Sequence, residues 1–195
     1  TKLIVVDEAN QATEPETIMP FQLADDDTHI VLIGDRMQLG PRVVSKLANS
    51  RGLGISMFER LIEEVNGIDA CMLTVQYRMH ESICHWPSQE FYVDRLFTDS
   101  SVHFRERVKG FPWPLDSALA FVDIQDEEQL SEALASLIVE DVLLGGIVQA
   151  KDIGVITLYH AETILIKSRL KELNLEDVEV GDINAFQGRP HEVIV

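Results

Sequence analysis

Asp7 and Glu8 are adjacent carboxylates that end the apolar run Leu3-Ile4-Val5-Val6. Two acids side by side can divide the work of nucleoside-triphosphate hydrolysis. One holds Mg²⁺ through its waters and the next orients or deprotonates the attacking water. That chemistry requires the pair to stand where a ligand can reach it. A continuous Val/Ile/Leu run predicts a strand buried on both faces, and ligands gather at the carboxyl ends of such strands in open α/β sheets. The dipeptide alone fits equally a strand that simply ends at a solvated loop.

Other segments carry compatible chemistry. His29-Ile30-Val31-Leu32-Ile33 runs into Gly34-Asp35-Arg36-Met37-Gln38-Leu39-Gly40-Pro41. The Gln38 amide can donate to a phosphate oxygen or a water while accepting from a neighbour, or it can cap a turn shaped by Gly34, Gly40 and Pro41. Gln76-Tyr77-Arg78-Met79-His80 offers a planar ring for a base and a fork of donors for charge developing on phosphoryl oxygens. The same two residues could instead be a core tyrosine and a surface salt bridge. In Ile156-Thr157-Leu158-Tyr159-His160-Ala161-Glu162 a threonine hydroxyl and loop amides could hold phosphate, although threonine at a strand end also reflects β-propensity. Asn184-Ala185-Phe186-Gln187-Gly188 ends in a glycine that permits close backbone approach.

The elements that must position these residues alternate along the chain. Strand 2–6, a helix beginning near Pro15, strand 29–33 and a helix over Ile55 to Val65 make one α/β run. A second run starts with a strand over Cys71 to Val75. It continues through a helix over Glu81 to Tyr92, an irregular segment holding Phe111-Pro112-Trp113-Pro114, a strand over Ala118 to Val122, and a long helix from about Glu127 to Leu144 stopped by Gly145-Gly146. Strand Ile153 to Thr157, a helix over Ala161 to Leu173 and a final strand follow. Such alternation predicts mainly parallel sheets.

Composition bounds the partners. The 195 residues, 46% of them hydrophobic, suffice for one large domain or two small ones. No stretch is apolar and long enough to span a membrane. Cys71 and Cys84 form no C-x-x-C pair, which fits reduced thiols in an intracellular protein. The net charge of −17 opposes a bulk electrostatic grip on nucleic acid. Acids crowd into Asp25 to Asp27, Asp123 to Glu128 and Glu176 to Asp182, whereas bases gather in Arg36 to Arg60 and in His103 to Lys109. Single strands can also be held by stacking and backbone amides, which need little positive charge.

Taken in order, these blocks resemble superfamily 1 helicases, and within them the up-frameshift group, RNA helicases of nonsense-mediated mRNA decay, with their immunoglobulin-mu-binding relatives. Gln11-Ala12-Thr13-Glu14-Pro15-Glu16, Gly52 to Leu61 and Pro87 to Tyr92 extend the resemblance over nearly the whole chain. It implies an α/β fold of two RecA-like (P-loop NTPase) domains, both incomplete. Residues 1–73 would be the C-terminal part of the first, and 74–195 most of the second. The chain would be an internal piece of a longer, cytoplasmic or nuclear protein.

By resemblance, Asp7 is the Mg²⁺-associated acid of the Walker B motif, Glu8 the general base, Gln38 the γ-phosphate sensor of motif III, and Arg78 the arginine finger. Tyr77 stacks on the adenine of ATP. Gln187 and Gly188 belong to the last nucleotide-binding block, and Pro41, Thr157 and Tyr159 to the nucleic-acid track. The chain departs from the family at Arg36-Met37, at Leu158 in place of proline, at Asp182 in place of a hydroxyl residue, and at Pro190 in place of a glutamate that binds ribose hydroxyls. A G-x-x-x-x-G-K-[ST] loop and the final arginine motif are absent from these 195 residues. The isolated chain is therefore expected to be inactive. The resemblance implies an ATP-dependent helicase moving 5′ to 3′ on single-stranded RNA or DNA, open to protein regulators and without a membrane partner. Two alternatives stand beside it, a degenerate RNA- or protein-binding scaffold and an ATPase switch that does not unwind.

Overall fold

The computed structural model describes residues 2–64, 70–103, 107–109, 111–115, 117–123, 133, 134, 136, 138 and 148–195. The chain divides into two compact units, Thr1–Met72 and Leu73–Val195.

In the first unit, strand β1 (Lys2–Val6) pairs in parallel with β2 (Thr28–Leu32), in register from Lys2 opposite Thr28 to Val6 opposite Leu32. Parallel pairing sends the loop after Val6 and the loop after Leu32 out of the same edge. Helix α1 (Glu14–Ile18) lies between the strands in sequence. It opens with Pro15 in its first turn, and the Glu16 carboxylate accepts from both the amide and the hydroxyl of Thr13 at 2.8 and 2.7 Å. Short helix α2 (Lys46–Ala48) and helix α3 (Met57–Glu64) follow, the latter started by Ser56 Oγ accepting the Glu59 amide. The Arg60 guanidinium of α3 forks onto the Glu14 carboxylate of α1, Nε to Oε2 at 2.7 Å and Nη2 to Oε1 at 2.5 Å.

The expectation of a strand buried on both faces does not hold. Leu3 is 63% exposed, and Val5, Ile30, Val31 and Ile33 are exposed as well. An apolar strand is buried twice only when layers cover both faces of its sheet. Among the described residues no such pair of layers closes over this two-stranded sheet. Burial among the described residues of the unit lies instead at Ala9, Asn10, Thr17, Ser56 and Met57.

In the second unit, β3 (Val75–Gln76) pairs in parallel with β4 (Phe97–Thr98), with α4 (Glu81–Phe91) between them in sequence. The strand expected from Cys71 shrinks to these two residues, because only they find a ladder partner. Helix α5 (Ser100–His103) follows. The expected strand over Ala118 to Val122 does not form. The Ala118 amide donates to the Ser82 hydroxyl at 2.9 Å, and Phe121 and Val122 are exposed, so this segment has a side-chain anchor in place of a ladder. Most of the helix expected over 127–144 lies outside the described residues.

The core of this unit surrounds a three-stranded parallel sheet ordered β6-β5-β7, with β5 (Ile153–Ile156) central, β6 (Glu179–Gly181) on one side and β7 (Val193–Ile194) on the other. Ile153, Val155, Val178 and Val180 pack with Ile166 and Leu170 of helix α6 (His160–Glu172) and with Ile138. Helix α7 (Ile183–Phe186) precedes the loop to β7. Among the described residues the strand pairings are all parallel, as the alternation of elements predicts.

Candidate functional site

Asp7 and Glu8 emerge at the carboxyl end of β1, both exposed. Glu8 holds a left-handed backbone, φ 50°, a conformation that costs a non-glycine residue on the order of 1 kcal/mol. Local bonds hold it there. Its amide donates to Asp7 Oδ1 at 3.0 Å, its carbonyl accepts the Gln11 amide at 2.9 Å, and its carboxylate accepts from Gln11 Nε2 at 2.9 Å. An exposed Asp at a sheet edge offers the hard oxygen that Mg²⁺ takes alongside waters and phosphates, so the donor set fits that ion. Among the described residues no group of three or more Asp, Glu, His or Cys side chains could cage a metal.

The loop after β2 is brought to the same edge. Asp35 organises it. Its carboxylate accepts the Met37 amide at 3.0 Å and Gln38 Nε2 at 2.8 Å, and its carbonyl accepts the Gln38 amide at 3.1 Å. Gln38 is therefore an exposed amide in a hydrogen-bonded turn, and Pro41 follows it half-buried. The two loops are joined by Ala9, whose amide donates to the Ile33 carbonyl at 2.8 Å, and by the side chain of Asn10. Asp7, Glu8 and Gln38 thus share one edge of the first unit.

Tyr77 and Arg78 occupy the turn after β3. The Gln76 side chain makes this turn, accepting from the amides of Arg78 and Met79 at 2.9 and 2.7 Å and donating to the Met79 carbonyl and the Thr98 hydroxyl at 2.7 and 2.8 Å. An amide side chain has capacity for all four bonds. With the polar work done by Gln76, Tyr77 is left 66% exposed and Arg78 exposed. His80 then caps α4, its Nδ1 accepting the Ser82 amide at 3.2 Å.

Gln187 and Gly188 follow α7. Gln187 Nε2 is a buried donor with no hydrogen-bond partner among the described residues, and Gly188 sits at φ +76° with open space where a Cβ would be. An unpartnered buried amide is costly unless something completes it. Asp182, which stands in place of the family's hydroxyl residue, is the N-cap of α7, its carboxylate accepting the Ala185 amide at 3.0 Å. On either side of Pro190 the chain is tied down through Glu179, which receives Arg189 Nη1 at 2.6 Å and lies 3.1 Å from His191 Nε2.

Thr157 is 6% exposed, and its hydroxyl is engaged inward with the Thr163 hydroxyl at 2.6 Å and the Gly181 carbonyl at 3.4 Å. Tyr159, two residues on, is 67% exposed and precedes α6. The positions that sequence reasoning passed over are those that shape the turns: Asn10, Asp35, Gln76 and Glu179. Their only legible signal is a polar residue that can serve as donor and acceptor, or as acceptor twice, beside a glycine or a turn.

Residues 1–46 match one AAA domain family model and residues 53–195 match another. Regulator of nonsense transcripts 1 homolog of Arabidopsis thaliana is 33% identical over 211 residues, covering 98% of this chain and 16% of the relative. DNA polymerase alpha-associated DNA helicase A of Schizosaccharomyces pombe is 33% identical over 219 residues, covering 98% and 31%. RNA helicase Mov10l1 of Mus musculus is 34% identical over 229 residues, covering 98% and 19%. The chain spans less than a third of the length of these relatives. The parallel sheets, the acid pair at a strand's carboxyl end and these matches agree: the chain belongs to the AAA-domain family, as an α/β RecA-like member of the up-frameshift-like superfamily 1 helicases.

Proposed function

We propose that the protein carrying this chain is an ATP-dependent helicase that moves 5′ to 3′ along single-stranded nucleic acid, RNA in preference to DNA. The observation that carries this reading is the placement of Asp7, Glu8 and Gln38 on one sheet edge, with Glu8 held in a left-handed conformation. Strain of that kind gathers at functional sites. Asp7 would hold Mg²⁺, which would supply neutralisation of the phosphate charge. Glu8 orients the attacking water and accepts its proton, and Gln38 reports the state of the γ-phosphate to the nucleic-acid track. Tyr77 stacks on the base of ATP and Arg78 meets the charge that develops on the transferring phosphoryl group. The unpartnered Gln187 donor is completed by the nucleotide, with Gly188 allowing close approach.

Residues 1–73 and 74–195 act as parts of two RecA-like domains in this reading. On the nucleic-acid track, the exposed Tyr159 ring is the contact for a base, while Pro41 and the backbone around Thr157 line the path. The Thr157 hydroxyl itself is engaged with Thr163. The 195 residues lack a G-x-x-x-x-G-K-[ST] loop, so the chain alone is expected not to turn over ATP.

Pro190, which stands where the family has a ribose-binding glutamate, favours a second reading as a non-catalytic RNA- or protein-binding scaffold. ATP turnover by the full-length protein, with and without single-stranded RNA, separates the readings. RNA-stimulated turnover that Glu8→Gln lowers at least ~10³-fold supports the motor. Turnover indifferent to RNA points to a switch that does not unwind, and none points to the scaffold. Competition between RNA and DNA for binding, and unwinding of duplexes with a 5′ or a 3′ overhang, test the substrate and the polarity.

A further inference from the structure

We propose that Asn10 is a positioning residue that fixes the water-activating Glu8 and the phosphate-sensing Gln38 relative to one another. The proposal rests on the function proposed above and adds a residue that the function itself does not require. Asn10 is 2% exposed, although it lies in a loop between two acids and an exposed turn. Its Oδ1 accepts the Asp35 amide at 3.1 Å and its Nδ2 donates to the Leu39 carbonyl at 3.0 Å. One side chain thereby brackets the segment 35–39 at both ends. Inside that bracket, the Asp35 carboxylate holds Gln38 Nε2 at 2.8 Å. Outside it, Asn10 follows Glu8 by two residues, and the intervening Ala9 is bonded to the Ile33 carbonyl at 2.8 Å. A continuous run of short bonds therefore connects the backbone that aims Glu8 to the amide of Gln38.

The chemistry selects this side chain. A planar amide supplies a donor and an acceptor on one rigid fork, whereas aspartate would lose the donor and set a charge against the Leu39 carbonyl. The neighbouring sequence leaves room for it. A Cβ at Gly34 would stand 2.7 Å from Asn10 Oδ1 and 3.0 Å from the Asn10 amide nitrogen, so only glycine lets the fork seat. Misplacing catalytic groups by a fraction of an ångström lowers turnover more than it lowers binding.

The test compares ATP turnover and hydrogen exchange in the full-length protein with those of Asn10→Ala and Gly34→Ala. Expected is a kcat about tenfold lower for Asn10→Ala with the KM for ATP within about twofold, together with faster amide exchange across residues 35–39. Gly34→Ala displaces the same fork and should give the same phenotype. The double variant should lose less than the product of the two. Assays run well below the melting temperature of each variant separate this role from a loss of folded protein. A kcat within about twofold of the unaltered protein, or a fall in kcat with unchanged exchange over 35–39, overturns the role alone. Absence of turnover in the unaltered protein overturns the proposed function and this role together.

Discussion

At the scale of single residues, the chain's chemistry is displayed on turns that polar side chains build. Gln76 is the clearest case. By satisfying two amides, a carbonyl and a hydroxyl, it makes the turn on which Tyr77 and Arg78 stand exposed. Replacing it with leucine strips partners from a half-buried turn, at a cost of about 1–3 kcal/mol for groups left unsatisfied. Gln76→Leu should therefore raise the KM of the full-length protein for ATP several-fold, and Gln76→Glu, which keeps the acceptor for both amides, should raise it less. Titration of a fluorescent nucleotide would read this directly. Equal affinity in both variants would show that the turn does not present Tyr77 and Arg78 to the nucleotide.

The same scale shows how two of the four departures from the family pattern are accommodated. Asp182 caps α7, so its charge is engaged at a helix start. Pro190 removes a backbone donor, but Arg189 and His191 on either side of it are both held by Glu179.

At the scale of elements, the first unit is stitched by the Arg60–Glu14 fork between α3 and α1. The hydrogen bond from Arg60, with its charge, holds the Glu14 carboxyl below the usual carboxylate range. A carboxyl depressed in the folded state contributes stability above its unfolded pKa, about 4.3, and loses that contribution as pH falls through the folded value. A half-exposed forked pair of this kind is worth on the order of 1 kcal/mol. Arg60→Ala should accordingly melt at a lower temperature than the unaltered protein at pH 7. The gap should close as pH drops below about 4. A gap that stays constant down to pH 2 would assign the loss to packing of the arginine stem instead. The corresponding tie in the second unit is apolar, with Ile166 and Leu170 of α6 set against Ile153, Val155 and Val180.

At the scale of the molecule, the proposed function sets a net charge of −17 against binding to a polyanion. Stacking and backbone amides can provide such a grip without a basic surface. Binding of single-stranded RNA should then fall only gently with salt. With two or three phosphates neutralised, the slope of log K against log salt would be about −1.4 to −2. Tyr159→Ala should weaken binding by about 1–3 kcal/mol, the worth of one stacked base. A slope steeper than about −5, with Tyr159→Ala silent, would place the grip on a cationic surface elsewhere in the protein.

The amino-acid sequence by itself determined the alternation of strands and helices, the α/β class, the acid pair at a strand's end and the family, because these depend on local periodicity and on short runs of residue types. Strand β1, helix α4 and strand β5 fall within a residue or two of where their patterns put them. Tertiary structure alone decided which strands found ladders, and so dissolved the one expected over 118–122. It alone decided that the apolar faces of β1 and β2 stand exposed and that the Thr157 hydroxyl turns inward while Tyr159 turns out. It also gave Asn10, Asp35, Gln76 and Glu179 their tasks. Burial and hydrogen-bond partners are supplied by segments distant in the chain. Asn10 meets Leu39 and Glu14 meets Arg60 only after folding, and no local pattern of residues records such a meeting.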